Sequence, residues 1–302
     1  MDRKLFCEII EKHERTATGD LGVYVKDLSS GEEFMHNAQD VYPAASVFKI
    51  FVLAELFRQI GEGRFSLEDR FPLKSEDKAT GSGVLQLMDD GMVPTLKDYA
   101  TLMMILSDNT AADFLFKLVG KDNILQNVLQ PLGLRDTKCD LTCRELVAAC
   151  FQTEVGADLR TCFPNGRPNL RNTSAFTGGL AENDETTPAE VGKIMELLYT
   201  GAWQGKESDD QEMRILKLCQ TNGRIPKYLP KGTAVAHKTG TMDRVVNDVG
   251  IVYTSKGDYI LSMFYNGNVA DETEYAANPH GYFGEELLAH ISRDIYDAYV
   301  GG

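Results

Sequence analysis

Several things are scarce in this chain of 302 residues. No segment approaches the roughly 20 apolar residues that a membrane span requires, and the most apolar run, Val47 to Phe57, is broken by Lys49 and Glu55. Residues Met1 to Gly19 mix charge with Leu5, Ile9 and Ile10 and lack the unbroken apolar block of a secretory leader. The sequence as written therefore reads as cytoplasmic, and as secreted or periplasmic if a leader was trimmed. Positive charge is also short: 31 Lys and Arg face 45 Asp and Glu, for a formal charge of -14. That balance argues against a nucleic-acid binder and against docking on anionic lipid through a basic face. It leaves small-molecule or peptide chemistry, with a monomer as the expected state.

Metal-binding patterns are missing too. The histidines, His13, His36, His237, His280 and His290, are scattered, form no HExxH and read as structural or surface residues. Cys139, Cys143, Cys150 and Cys162 crowd into one stretch, but without paired C-x2-C spacing or a nearby histidine. Free, mostly buried thiols are expected, with no metal and no cofactor.

What the chain does have is enough apolar residue, 43%, to bury a substantial core. The N-terminal segment reads as a helix followed by a hairpin, Leu21 to Leu28 and Glu33 to Asn37 around Ser29-Ser30-Gly31-Glu32. From Pro43 to about Thr200 the pattern is helical, with start signals at Thr95-Leu96-Lys97-Asp98 and Thr187-Pro188-Ala189-Glu190. Gly201 stops the second of these helices. Thr233 to Thr239, Asp248 to Thr254 and Asp258 to Tyr265 read as strands, and a final amphipathic helix follows from about Glu285 to Tyr299. The reading is an α/β lobe built from both termini, residues 1–43 and 204–302, around an inserted all-α lobe, 44–203. Its least regular part is a lengthened loop at about 142–184.

Three short motifs occur in order. Ser46-Val47-Phe48-Lys49 opens an apolar helix, where Lys49 returns to the face of Ser46 and burial favours its neutral amine. Ser75-Glu76-Asp77-Lys78 fits the same pattern, so the pattern alone decides nothing. A lysine at the edge of an apolar helix can also simply snorkel to water. Ser107-Asp108-Asn109 offers a hydroxyl and an amide for proton relay and amide binding, or an ordinary helix cap. Lys238-Thr239-Gly240-Thr241 reads as a strand end presenting a cation and a hydroxyl to a substrate carboxylate. Gly240 would admit a ligand backbone, and the Thr241 and Ser46 N–H groups could form an oxyanion hole. The plainer alternative there is a strand end with a turn glycine. The three motifs together point to a serine acyl-enzyme site.

With these motifs the chain resembles the class A β-lactamases and related penicillin-recognising serine enzymes. Thr80 to Leu85, Leu102 to Ala112, Asn183 to Pro188, Arg224-Ile225-Pro226 and Asn247-Asp248-Val249 also look like landmarks of that family. The resemblance implies a five-stranded antiparallel sheet flanked by helices with an all-α lobe inserted, and a site in the cleft between the lobes. It implies Ser46 as nucleophile, Lys49 as its base, and Ser107 with Lys238 as proton shuttle to the leaving nitrogen. Asn109 would contact a substrate amide, Thr239 with Lys238 would hold a carboxylate, and Asp108 would brace its motif.

The pattern departs from the family in one place. The glutamate that activates the deacylating water in β-lactamases of this class should precede Asp184, where Arg171 stands, with Ala175 in place of an accompanying asparagine. Counting forward from Ser107 lands near Cys143, with Glu145 the closest carboxylate, because roughly 30 extra residues separate the two anchors. Glu145 or Glu154 could substitute if the loop folds into the cleft, while Glu182 reads as support for the loop. Acylation of Ser46 by β-lactams or related amides and esters is therefore expected, with slow release of the acyl group. The alternatives are a D-alanyl-D-alanine peptidase or penicillin-binding enzyme, a cytoplasmic esterase or amidase, and a sensor that is acylated or binds without turnover.

Overall fold

A computed structural model describes residues 1–17, 19–151, 153–157, 162, 183–242, 245–267 and 282–301. Helix α1 (Arg3–Glu14) leads into strands β1 (Asp20–Asp27) and β2 (Glu33–His36). At the other end of the chain come β5 (Val235–Met242), β6 (Val245–Val252), β7 (Tyr259–Asn266) and helix α8 (Tyr282–Gly301). These strands form one antiparallel five-stranded sheet in the order β2-β1-β7-β6-β5, so β1 and β7 join the two ends of the chain at its centre. This is the β-lactamase-type architecture that the motifs implied.

Side chains alternate across the sheet, as strand geometry requires. Leu21, Val23 and Val25 of β1, with Leu261 and Met263 of β7, pack against Phe6 and Ile10 of α1 and Leu288, Ile291 and Ile295 of α8. Tyr24, Ile260 and Phe264 point the other way, into a core shared with the helices of the middle of the chain. Those helices are α2 (Lys49–Gly61), α3 (Leu96–Ile105), α4 (Asn109–Val119), a helical stretch over 121–132, α5 (Cys143–Phe151), α6 (Pro188–Thr200) and α7 (Lys206–Leu216).

The start signals behave as expected. Thr95 and Asp98 close a reciprocal capping box on α3, and Thr187 caps α6 with Pro188 at its first position. Gly201 ends α6 in the left-handed conformation at φ 75, which glycine adopts without strain. One boundary differs in a way that matters for the site. Lys238 to Thr241 lie within β5 rather than at its end, because pairing with β6 continues through Thr241 with Val246 and Met242 with Val245.

The cysteines among the described residues are free thiols, with Cys139, Cys143, Cys150 and Cys219 buried and Cys7 and Cys162 exposed. Among the described residues no helix is long and apolar enough to cross a membrane. The Arg171, Ala175 and Glu182 positions lie outside the described residues.

Candidate active site

Ser46 lies in a single 3-10 turn, Ala45–Phe48, that runs directly into α2. Bonds from β6 and to Asp184 fix the turn, and Gly240 of β5 packs against it. Asn247 Nδ2 on β6 donates to the Pro43 and Ala44 carbonyls at 2.9 and 3.2 Å. Ala44 N donates to the Asp184 carbonyl at 2.8 Å, beside the short pair formed by β3 (Tyr42–Pro43) and β4 (Glu185–Thr186). At Gly240, a side-chain carbon would fall 2.8 Å from the Ala44 carbonyl oxygen and 3.1 Å from Val47 Cγ2. The close approach that Gly240 permits is thus that of the Ser46 turn, where the sequence suggested a ligand backbone.

Lys49 is fully buried one residue past the turn. Its Nζ donates to Ser107 O at 2.8 Å, Asn109 Oδ1 at 2.9 Å and Ser107 Oγ at 3.1 Å. Three acceptors match the three N–H bonds of an ammonium. Ser107 turns both its carbonyl and its hydroxyl toward this lysine because its backbone is left-handed, φ 55, a conformation that costs a non-glycine residue about 1–3 kcal/mol. Asp108 holds that geometry from both sides. One carboxylate oxygen caps α4 through Ala111 N at 3.0 Å, and the other accepts from Val84 N and Leu85 N at 2.6 and 2.9 Å. The capping reading and the bracing reading of Asp108 are both realised.

Lys238 enters from β5, also fully buried, and its Nζ bonds Ser107 Oγ at 3.1 Å and Thr239 O at 2.7 Å. Burial disfavours its charge first, the Lys49 cation adds to that, and its pKa falls from 10.5 to about 7. One hydroxyl, Ser107 Oγ, therefore bridges the nitrogens of two buried lysines. Thr239 is buried beside them, and Thr241 is exposed with its Oγ1 accepting from Arg224 Nη2. The other copy of the serine-lysine pattern has no such setting: Ser75 is exposed, and both Ser75 and Lys78 bond Asp90.

The carboxylates near the long loop have other attachments. Glu145 Oε2 accepts from Thr142 N and Thr142 Oγ1, both at 2.8 Å, while Glu145 N donates to Thr142 Oγ1 at 3.2 Å. This is a capping box on α5. Glu154 is exposed.

Two further residues belong to the site's frame, the first of them passed over in the sequence. Asp113, one helical turn beyond Asn109, accepts from Cys143 N at 2.5 Å and Arg144 N at 3.1 Å, pinning the start of α5 to α4. Its spacing from Asn109 was the available signal. Arg224, seen before only as a landmark, is fully buried and spans the Gly240 carbonyl at 2.8 Å, the Asn247 carbonyl at 2.6 Å and Glu285 at 3.0 Å.

This fold, which sets a part-buried serine hydroxyl between two buried lysines beside the edge strand β5, is that of the penicillin-recognising serine enzymes. The description "Beta-lactamase enzyme family" matches residues 6–299, and the chain belongs to that family, as a serine hydrolase of the β-lactamase type. It is 29% identical over 290 residues to beta-lactamase CARB-3 of Pseudomonas aeruginosa, covering 95% of this chain and 88% of that protein. To beta-lactamase VEB-1 of the same organism it is 22% identical over 303 residues, covering 96% and 89%. Among solved structures, a beta-lactamase from Sphaerobacter thermophilus superposes with a TM-score of 0.80 at 28% identity, over 100% of this chain and 99% of that one. The structure of PBP-A shares the fold at a TM-score of 0.78 and 24% identity, over 99% and 97%.

Proposed function

We propose that this protein forms an acyl-enzyme at Ser46 with β-lactams or related amide and ester substrates, in the cleft between the 1–43/204–302 lobe and the 44–203 lobe. The observation that carries this is Ser107 Oγ held between Lys49 Nζ and Lys238 Nζ, 3.1 Å from each. Two cations cannot both be comfortable in a buried site one hydroxyl apart, so one proton is mobile. Three acceptors surround Lys49 Nζ, and Lys238, its charge disfavoured by burial, is the amine poised to receive a proton. Passing a proton from Lys49 through the Ser107 hydroxyl to Lys238 leaves Lys49 neutral, able to take the Ser46 proton as the hydroxyl attacks the carbonyl. Lys238 then returns its proton through Ser107 to the leaving nitrogen. Asn109 and Thr239 orient the substrate amide and carboxylate, and the N–H groups of Ser46 and Thr241 receive the oxyanion.

Release of the acyl group is slow in this reading. Glu145, the carboxylate that the loop count brings nearest, is committed to the α5 cap. The protein then acts as a penicillin-binding enzyme more than as an efficient β-lactamase. The test is to mix it with a penicillin and a chromogenic cephalosporin and to follow intact mass beside absorbance. A lasting adduct on Ser46 with little turnover supports the whole reading. Fast turnover without an adduct overturns the slow-release part, and an adduct that survives Ser46→Ala overturns the site.

A further inference from the structure

A groove of about 530 Å³ opens between the polar face of α7 and the chain just after β6, and none of the residues assigned to acylation lines it. Its volume falls in the range of small-molecule sites. One wall is α7 and the residue that follows it. Lys206, Asp210, Arg214 and Lys217 recur there at spacings of three and four, which places them along one face. Ile215 and Leu216, on the other side of the helix, join the core.

The opposite wall is aromatic and already in place. Tyr199 near the end of α6 and Tyr253 just after β6 hold their rings 6.2 Å apart at 45°. Tyr199 Oη donates to Asp258 Oδ2 at 2.8 Å, and Thr254 N donates to Asp258 Oδ1 at 3.0 Å. Tyr253 N donates to the Ala234 carbonyl at 3.0 Å. Both rings are half-buried, so they are sheltered without being closed off.

The charges in the groove do not balance. Asp210 is taken by Lys206 at 2.5 Å, and Asp258 by the two bonds just given. Lys217 Nζ stands 3.9 Å from the centre of the Tyr253 ring, a cation on an aromatic face. Arg214 is exposed and has no ion pair or hydrogen bond among the described residues. In a chain of formal charge -14, this groove sets three cations against two carboxylates. Arg214 and Lys217 are the two left for a ligand.

We infer that the groove binds a small organic anion carrying a planar ring, whose phosphate or carboxylate meets Arg214 and Lys217 and whose ring lies against Tyr199 and Tyr253. A guanidinium presents paired donors in one plane, the geometry that phosphate and carboxylate oxygens match. The tyrosines supply contact area that needs little ordering on binding. Each half is weak by itself, because exposed cations are screened by water and salt and two half-buried rings offer a neutral ring only a small surface.

The experiment is calorimetric titration of the whole protein with AMP and with 1-naphthoate, a phosphate and a carboxylate source of the same chemistry. Inorganic phosphate and adenosine are titrated beside them. At least one of AMP and 1-naphthoate is expected to bind with a Kd below about 1 mM, with inorganic phosphate and adenosine each about 10-fold or more weaker. Binding of AMP alone assigns a phosphate ligand, and binding of 1-naphthoate alone a carboxylate ligand. Arg214→Ser and Lys217→Ser, both at exposed positions, should each weaken binding about 5- to 10-fold and flatten its salt dependence. The inference is overturned if neither probe binds, if inorganic phosphate or adenosine binds as tightly as the better probe, or if neither substitution weakens binding. These titrations read binding without acylation, so their outcome is separate from the fate of Ser46.

Discussion

Lys238 gives the sharpest test of the site's electrostatics. Its pKa falls from 10.5 to about 7, which corresponds to about 5 kcal/mol against the charged form, an order-of-magnitude figure. The residue is 0% exposed, so water does not screen it. If Lys238 must be a neutral amine to receive the proton passed from Lys49, acylation tracks the neutral fraction. The acylation rate constant, read by rapid quench and intact mass with a penicillin, should climb about tenfold per pH unit below about 7 and level off above it. Between about pH 8 and about pH 5.5 the fall should be roughly 30-fold. Lys238→Arg keeps the cation and cannot release it, so its rate at about pH 8 should drop to the acid level and lose its pH limb. A rate flat from about pH 5.5 to about pH 8 would refute the reasoning, because Lys238 would then be working as a charged carboxylate clamp. So would an arginine variant that acylates as fast as the natural protein. Stability carries the same signature. The folded pKa is depressed, so between about 7 and 10.5 the unfolded chain holds a proton that the folded one has released. The Lys238 contribution to stability should therefore rise with pH across that window.

Ser46→Ala should leave the fold intact and abolish covalent labelling, as read by intact mass. Gly240→Ala places a methyl 2.8 Å from the Ala44 carbonyl; about 1–3 kcal/mol of stability should be lost in urea unfolding, and acylation should slow because the Ser46 turn is displaced. Glu145→Ala removes the carboxylate half of the α5 capping box and should lower stability by about 1 kcal/mol while leaving the lifetime of the acyl adduct unchanged; a much longer-lived adduct would assign deacylation to Glu145 after all. Burial is the main force raising Asp184 from 3.8 to about 7, against the two N–H bonds it accepts from Asp140 and Leu141. The folded chain binds the extra proton between those values, so stability from this group is full at acid pH and declines as pH rises toward and through about 7. Asp184→Asn should remove that slope in melting curves, and an unchanged slope would count against a buried, protonated Asp184.

The local order of this molecule was legible in its sequence because local signals act over one or two turns. Thr95 with Asp98, Thr187 with Pro188 and the glycine after Thr200 set helix ends by satisfying or terminating backbone bonds within a few residues. The turn Ser29-Ser30-Gly31-Glu32 announced the hairpin of β1 and β2. The order of the serine, lysine and asparagine motifs carried the chemistry, and the family match followed it. Tertiary structure decided what depends on partners far along the chain. Strand pairing put Lys238 to Thr241 inside β5, and the sheet edge put Gly240 against the turn of Ser46. Only folding could join Lys49 and Lys238 at one hydroxyl, because they stand far apart in sequence and their shared burial exists only once both lysines leave water. The same holds for His237, a scattered histidine in the sequence, which the pairing of β5 with β6 sets against the Asp248 carboxylate at 2.8 Å.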